Sequence, residues 1–328
     1  LTAPRPSKAR GAKTRPGRGR WTQVLRVSIQ LSVVLFIVYG ALGGPWRNFK
    51  VAHNLARLVG MMEGPVWGTL YAYNENLLSL FGEPYRASFN MLGLPWSGTV
   101  AGVVTADPLM VAGYAVRNGM PPTNMLLAVI TPLLLALLAG RLFCSHICPA
   151  RFMFQLGRLI RGGLLYMGIP LPHLRSPVRL GGWVLLGGLL ATAGAGIIVW
   201  HFILPYVGWA TGTFLAITSG TAAGLLTVPA ILLTIDVLIA PGEFCRTACP
   251  TGWLLEQVGR RSIVRLRRPE DPACPEGCQS CIRACPYRLS PRDAVTRADL
   301  GGCDSCGLCV TACPDRKLYR LPGLRGNP

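Results

Sequence analysis

The sequence predicts an α-helical membrane protein: four transmembrane helices in two pseudo-repeated pairs, followed by a small cysteine-rich C-terminal domain. Three observations carry this. The 328 residues are 51% hydrophobic and only 14% charged, whereas about 25% of a typical soluble domain is charged. Four apolar runs are each about 20 residues long, enough to cross the ~30 Å hydrocarbon core of a bilayer. All twelve cysteines lie from Cys144 onward, and every one falls in a spaced motif.

The elements follow in order. Residues 1–23 form a basic arm, expected to be disordered against anionic lipid headgroups; residues 1–26 hold eight Lys/Arg and no acid. A membrane domain over 24–260 comes next, with spans expected at 24–44, 124–143, 180–204 and 221–241. The connection 45–123 carries five basic and four acidic residues, 141–179 carries six basic and none acidic, and 205–220 carries no charge. That is positive-inside asymmetry with both termini in the cytoplasm. The net charge of +19 is therefore accounted for by membrane lipid, and no nucleic-acid partner is expected. Within the periplasmic connection, 91–116 is apolar but broken by Pro95, Asp107 and Pro108. It reads as a re-entrant or interfacial piece.

The second and fourth spans each run into the same motif. "RLFCSHICPARFMFQLGR" (141–158) matches "GEFCRTACPTGWLLEQVGR" (242–260), with their first cysteines 101 residues apart. Two halves of one orientation are related by an axis along the membrane normal, which brings Cys144, Cys148, Cys245 and Cys249 together at the cytoplasmic surface. Cysteines four apart share a helix face, and Pro149 and Pro250 suit the first turn of a new helix. Four such thiols could hold a third iron–sulfur cluster, another thiophilic metal, or a redox-active dithiol. His146, between Cys144 and Cys148, is a candidate ligand or proton donor.

The remaining eight cysteines lie in a domain expected over 261–318, with 319–328 as a tail. "CDSCGLCVTACP" has the C-x2-C-x2-C-x3-C-P spacing of bacterial two-cluster ferredoxins, and "CPEGCQSCIRACP" differs by one extra residue after Cys274. Three thiolates on a tight loop cap three irons, and the cysteine before proline serves the other cluster. Two [4Fe–4S] clusters follow, one on Cys274, Cys278, Cys281 and Cys313, the other on Cys303, Cys306, Cys309 and Cys285. Disulfides are disfavoured on the cytoplasmic side, and zinc sites do not need crossed pairs.

At these residues, roughly 20–318, the chain resembles the NapH/MauN family of ferredoxin-type membrane proteins, to which the NosR C-terminal half and CcoG look related. "LGLPWSGTVAGVVTADPLMVAGY" (92–114) is similar to the family's first periplasmic loop, although the loop here is longer. The resemblance implies a subunit of the bacterial inner membrane that takes electrons from membrane quinol. They would pass through the clusters to a ferredoxin-type or cytochrome partner of a periplasmic reductase or dehydrogenase. Ferredoxin clusters reach potentials as low as about −700 mV, so reduction by quinol needs raised ones. Residues 246–328 hold fourteen Lys/Arg against eight Asp/Glu, a field of the right sign. Quinol oxidation also needs proton acceptors. Asp236 is the acid inside a span, reading either as part of a quinone site or as a salt-bridge partner. His201, beside Trp200, reads as a second candidate or as an aromatic-belt residue. The competing class is a maturation factor whose clusters reduce a metal or disulfide during assembly of a periplasmic metalloenzyme or quinone-cofactor enzyme.

Overall fold

A computed structural model describes residues 18–54, 64–89, 91–94, 96–100, 102–219, 223–262, 264–267, 278–291, 301–313 and 319–322. Most of the basic arm, and Cys274, lie outside the described residues.

Helix α1 (Arg18–Asn54) contains the first expected span, and its stretch Gln23–Gly40 is long and apolar enough to cross a membrane. Three shorter apolar helices occupy the other expected positions: α5 (Thr123–Ala139), α7 (Gly181–Ala195) and α10 (Ala223–Leu238). The third span departs from expectation, because 180–204 is not one helix. Gly196, at φ 83, closes α7 with its N–H on the Thr192 carbonyl at 2.9 Å. That left-handed conformation is one a side-chain-bearing residue resists. A short α8 (Val199–Ile203) follows, and Pro205 opens α9 (Pro205–Ser219). The uncharged stretch after 204, expected as a connection, is therefore largely a fifteen-residue apolar helix packed between α1 and α10.

The first long connection folds back onto the bundle. Helices α2 (Pro65–Ser79) and α3 (Pro84–Phe89) pack around Trp46 of α1 through Tyr71, Leu78 and Ala87. An antiparallel meander of β1 (Met91–Leu94), β2 (Ser97–Val100) and β3 (Val103–Thr105) leads into α4 (Pro108–Asn118). Asp107 caps α4 by accepting the Leu109 N–H at 2.8 Å, the role an Asp before Pro suits. The turn between β1 and β2 reaches inward, so that Trp96 lies edge-on to Phe143 and Tyr206 at centroid distances of 6.2 and 5.1 Å. The main core joins Val33 and Ile37 of α1 to Leu109, Phe154, Trp200, Leu204 and Tyr206.

Both repeat units share one local build. After α5 and α10 the chain makes a π-helical turn, Phe143–Ile147 and Phe244–Ala248, closed by the N–H of Cys148 on the Phe143 carbonyl and of Cys249 on the Phe244 carbonyl, each at 2.9 Å. Such i→i+5 turns are rare and concentrate at functional sites. Cys148 and Cys249 then adopt nearly identical extended conformations, φ −63, ψ 117 and φ −65, ψ 116. Pro149 and Pro250 start α6 (Pro149–Tyr166) and α11 (Pro250–Val258), as their fixed φ predicts.

In the C-terminal unit, α12 (Ser280–Ala284) packs against α13 (Leu308–Ala312). Strand β4 (Val264–Arg267) pairs antiparallel with β5 (Tyr319–Pro322). Residues 319–322, expected as tail, thus belong to this unit and tie its two ends together.

Candidate functional site

The four cysteines of the repeat stand on the two π turns, where each turn's shape is fixed from outside. Gln30 of α1 donates Nε2–H to the Ser145 carbonyl at 2.8 Å. Arg141, 1% exposed, reaches from the first motif to the second. Its Nη2–H goes to the Cys245 carbonyl at 2.8 Å and its Nη1 pairs with Glu256 at 3.1 Å. Gly252 makes room for it, since a Cβ there would meet Arg141 Nη2 at 2.5 Å. Cys249 Sγ accepts the Gly252 N–H at 3.4 Å. His146 Nδ1 lies 2.7 Å from Ser145 Oγ. Burial, with the charge of the neighbouring thiols added, pushes up Cys148, Cys245 and Cys249, the last to about 11. Cys144 is raised by burial too, with Arg141 opposing. Cys144, Cys148, Cys245 and Cys249 therefore influence one another across the repeat, and would lose their protons to a bound cation rather than to water.

The tail cysteines of the two loops lie within electrostatic reach of one another. The thiols acting most on Cys281 are Cys278 and Cys313, and those acting most on Cys309 are Cys303 and Cys285, with Cys281 after them. Burial is the leading cause in each case and raises Cys309 to about 12. Among the described residues no three His, Cys, Asp or Glu side chains are closed to metal-holding distance. Eight cysteines spaced in two such runs are nevertheless a thiolate-rich donor set of the kind iron–sulfur clusters use.

The two regions meet through a buried ionic contact. Asp304, next to Cys303, pairs with Arg151 of α6 at 2.9 Å, with side chains 1% and 2% exposed. The Tyr287 hydroxyl donates to the same carboxylate oxygen at 3.2 Å, and the Cys306 N–H donates to the other at 3.2 Å. The Arg151 guanidinium lies over the Tyr287 ring, 4.9 Å from its centroid, a cation–π arrangement. Burial works against ionisation of Asp304, but Arg151 and the Cys306 N–H outweigh it and hold the carboxyl below its usual range. Around this pair, Glu256 accepts from the Gly302 N–H and pairs with Arg179 at 2.7 Å, while Arg175 donates to the Tyr287 and Arg288 carbonyls. Helix α13 packs on α1. The loop of Cys303, Cys306 and Cys309 is thus seated on the platform that carries the two Cys-x-x-x-Cys-Pro pairs.

The remaining candidates are placed separately. Asp236, 3% exposed on α10, accepts the Gly242 N–H at 2.6 Å through Oδ1, bracing the loop before Cys245, while Oδ2 is buried without a donor. His201, on α8, has Nδ1 buried without a partner. Among the described residues no hydrogen bond or ion pair joins Asp236 to His201. Sequence reasoning missed Arg151, Asp304, Tyr287 and Glu256, whose only signal was adjacency to cysteine motifs. It also missed a buried chain in which the Tyr206 hydroxyl donates to Asp107 at 2.5 Å and lies 3.0 Å from Thr251 Oγ1. That chain joins the folded-back segment to the start of α11, two residues past Cys249.

The paired thiols on repeated turns, with a cysteine-rich unit docked beside them on a helical scaffold, define a ferredoxin-type iron–sulfur electron-transport protein. A family model described as a 4Fe-4S binding domain matches twice, at residues 121–166 and 221–269, and each match carries one Cys-x-x-x-Cys-Pro pair. The chain is 25% identical to the ferredoxin-type protein NapH of Haemophilus influenzae, over 80% of this chain and 95% of that protein. It is 27% identical to the methylamine utilization ferredoxin-type protein MauN of Paracoccus denitrificans, over 74% and 83%. With MauN of Methylorubrum extorquens the identity is 29%, over 71% and 79%. The chain is thus similar over most of its length to the NapH and MauN ferredoxin-type proteins. No solved structure matches it.

Proposed function

We propose that the chain is a multi-pass subunit of a bacterial inner membrane, with both termini cytoplasmic, that draws electrons from membrane quinol and passes them to a redox partner of a periplasmic enzyme system. Two [4Fe–4S] clusters are its resident cofactors, one on Cys274, Cys278, Cys281 and Cys313, the other on Cys303, Cys306, Cys309 and Cys285. What supports the pairing is the thiol neighbourhood, with Cys313 beside Cys281 and Cys285 beside Cys309. Bound there, such clusters supply one-electron storage at potentials set by charge, hydrogen bonds to sulfur and exposure.

The observation that carries the reading is the seating of the Cys303–Cys309 loop on the membrane-edge thiols through the buried Arg151–Asp304 pair. That seating sets the electron-accepting unit against helices that contact lipid. Quinol gives up two electrons and two protons on becoming quinone, so two one-electron acceptors match the electrons. Asp236 Oδ2 and His201 Nδ1, each buried without a partner, are separate candidates for the group that meets a quinol hydroxyl and takes its proton. Cys144, Cys148, Cys245 and Cys249 form the proposed site for a third metal or a redox dithiol between quinol and the docked unit.

The test uses anaerobically purified protein. A reduced quinol analogue is added, the iron–sulfur signals are followed by EPR and visible bleaching, and dithionite serves as the control. Reduction by quinol supports the reading. Reduction by dithionite alone removes the quinol pathway and favours a role in maturation.

A further inference from the structure

Two arginines from the membrane domain converge on the docked loop with more hydrogen-bonding capacity than the protein satisfies. Arg26 of α1 is 4% exposed. Its Nη2 donates to Gln155 Oε1 at 3.1 Å, while Nε and Nη1 are buried without an acceptor. Arg151 of α6 is 1% exposed; its Nη2 lies 2.9 Å from Asp304 as an ion pair without hydrogen-bond geometry, and Nε, Nη1 and Nη2 are all buried without a hydrogen-bond acceptor. Asp304 accepts hydrogen bonds from the Tyr287 hydroxyl and the Cys306 N–H and supplies a single negative charge, ion-paired with Arg151. One carboxylate faces two guanidinium groups, so a positive charge is left over inside the protein.

A buried guanidinium with unfilled donors is costly unless an anion completes it. The group that both arginines act on is Cys306, the first among the charged neighbours of Arg26 and a neighbour of Arg151. The charge of Arg151 also acts on Cys245, in the second Cys-x-x-x-Cys-Pro pair. Burial excludes a lipid headgroup as the missing partner. The strongest influences on Cys281, in the other loop, are burial, backbone N–H groups and two thiols, with no guanidinium among them.

We propose that Arg26 and Arg151 donate their free N–H groups to the sulfur of the iron–sulfur cluster held by Cys303, Cys306, Cys309 and Cys285, making it the higher-potential cluster and the point of electron entry from the membrane edge. This rests on the cluster assignment proposed above. The chemistry is general. A thiolate-liganded cluster is anionic and becomes more so on gaining an electron, so a fixed cation and N–H···S bonds favour the reduced form. Both arginines are positioning and tuning residues, and neither takes part in bond making.

The experiment is an EPR-monitored redox titration of the full chain in detergent, with iron and sulfide analysis of every sample. Cys278→Ala/Cys281→Ala and Cys303→Ala/Cys306→Ala assign the two signals. Arg26→Gln and Arg151→Gln are each expected to lower the midpoint of the signal that survives in Cys278→Ala/Cys281→Ala. The shift expected is tenfold in the electron's binding constant, about 59 mV for a one-electron couple, and the other signal should stay in place. Arg151→Lys, which keeps the charge but not the planar fork, should shift less than Arg151→Gln. Unchanged midpoints at full iron content overturn the proposal, as does a shift confined to the other signal. Loss of both clusters in both glutamine variants also overturns it, because the arginines would then be structural. A wild-type chain without two clusters overturns the assignment itself, and the iron and sulfide analysis shows which of the two has failed.

Discussion

Asp304→Asn tests whether the docking of the thiol-rich unit depends on one buried charge pair. The substitution keeps the size of the side chain but only one of the two acceptor oxygens used by Tyr287 and Cys306, and it removes the charge facing Arg151. Because both partners are almost wholly buried, Arg151 would be left as an uncompensated internal cation. Breaking one side of a buried pair costs about 3–5 kcal/mol. At about 1.4 kcal/mol per factor of ten, the lower end already raises the undocked population more than a hundredfold. Hydrogen exchange at the amides of residues 301–313 reads this directly, since they exchange when the loop lifts from α1 and α6. Arg151→Met and Asp304→Leu, made singly and together, form a double-mutant cycle, and replacing both charges by apolar groups should recover most of the loss of either single variant. Exchange in Asp304→Asn as slow as in the wild type, or a coupling energy below about 0.5 kcal/mol, would refute the argument that this pair holds the unit down.

Three further outcomes follow from the same geometry. Gly252→Ala puts a methyl 2.5 Å from Arg141 Nη2 and should cost about 1–3 kcal/mol through the displaced guanidinium. Gly187→Ala, with nothing within 4 Å, should be neutral or stabilising by up to about 1 kcal/mol, and thermal unfolding in detergent compares the two. Asp107 is raised above the usual carboxylate range by burial, with Tyr206 and backbone N–H groups opposing in part. Its folded form therefore holds the proton longer than the unfolded chain, and its contribution to stability declines from about pH 4 upward, through the raised value. Asp107→Asn removes that slope, so the stability difference between variant and wild type should change over this range; a constant difference contradicts the assignment. Iron analysis of the whole protein should give about eight irons per chain if the membrane-edge thiols hold no iron, and ten or more if they hold a cluster. Cys144→Ala/Cys249→Ala should lower the count only in the second case.

What could be read from the sequence was what depends on local spacing. The two Cys-x-x-x-Cys-Pro pairs and the helix starts at Pro149 and Pro250 rest on the local reach of the backbone and proline's fixed φ. The first span was legible because an apolar run of that length has few alternatives. The third was misread because hydropathy does not register Gly196, whose φ of 83 breaks an otherwise continuous apolar run, or Pro205, which begins a helix where a connection was expected. The Arg151–Asp304 contact joins residues 153 apart, and nothing local to either residue indicates it. Asp107 was visible only as an interruption of a hydrophobic stretch, whereas its neighbour Tyr206 lies 99 residues away.

The repeat also explains why the thiol-rich unit sits where it does. The two halves match in backbone through the π turns, yet at two equivalent positions, 101 residues apart, the first half has arginine and the second glycine: Arg141 against Gly242, and Arg151 against Gly252. Each glycine is occupied space. At Gly252 it is taken by Arg141, and at Gly242, where φ is 77, a Cβ would meet Tyr287 at 2.9 Å. Tyr287 belongs to the docked unit and covers Arg151. Arginines at all four positions would place two more cations beside the membrane-edge thiols, one of them where Tyr287 lies. Glycines at all four would leave Asp304 and Glu256 without their buried partners. The near-symmetric pair of turns can gather four thiols, whereas a single docked unit needs the symmetry broken. These two arginine–glycine exchanges break it by giving the charge to one half and the room to the other.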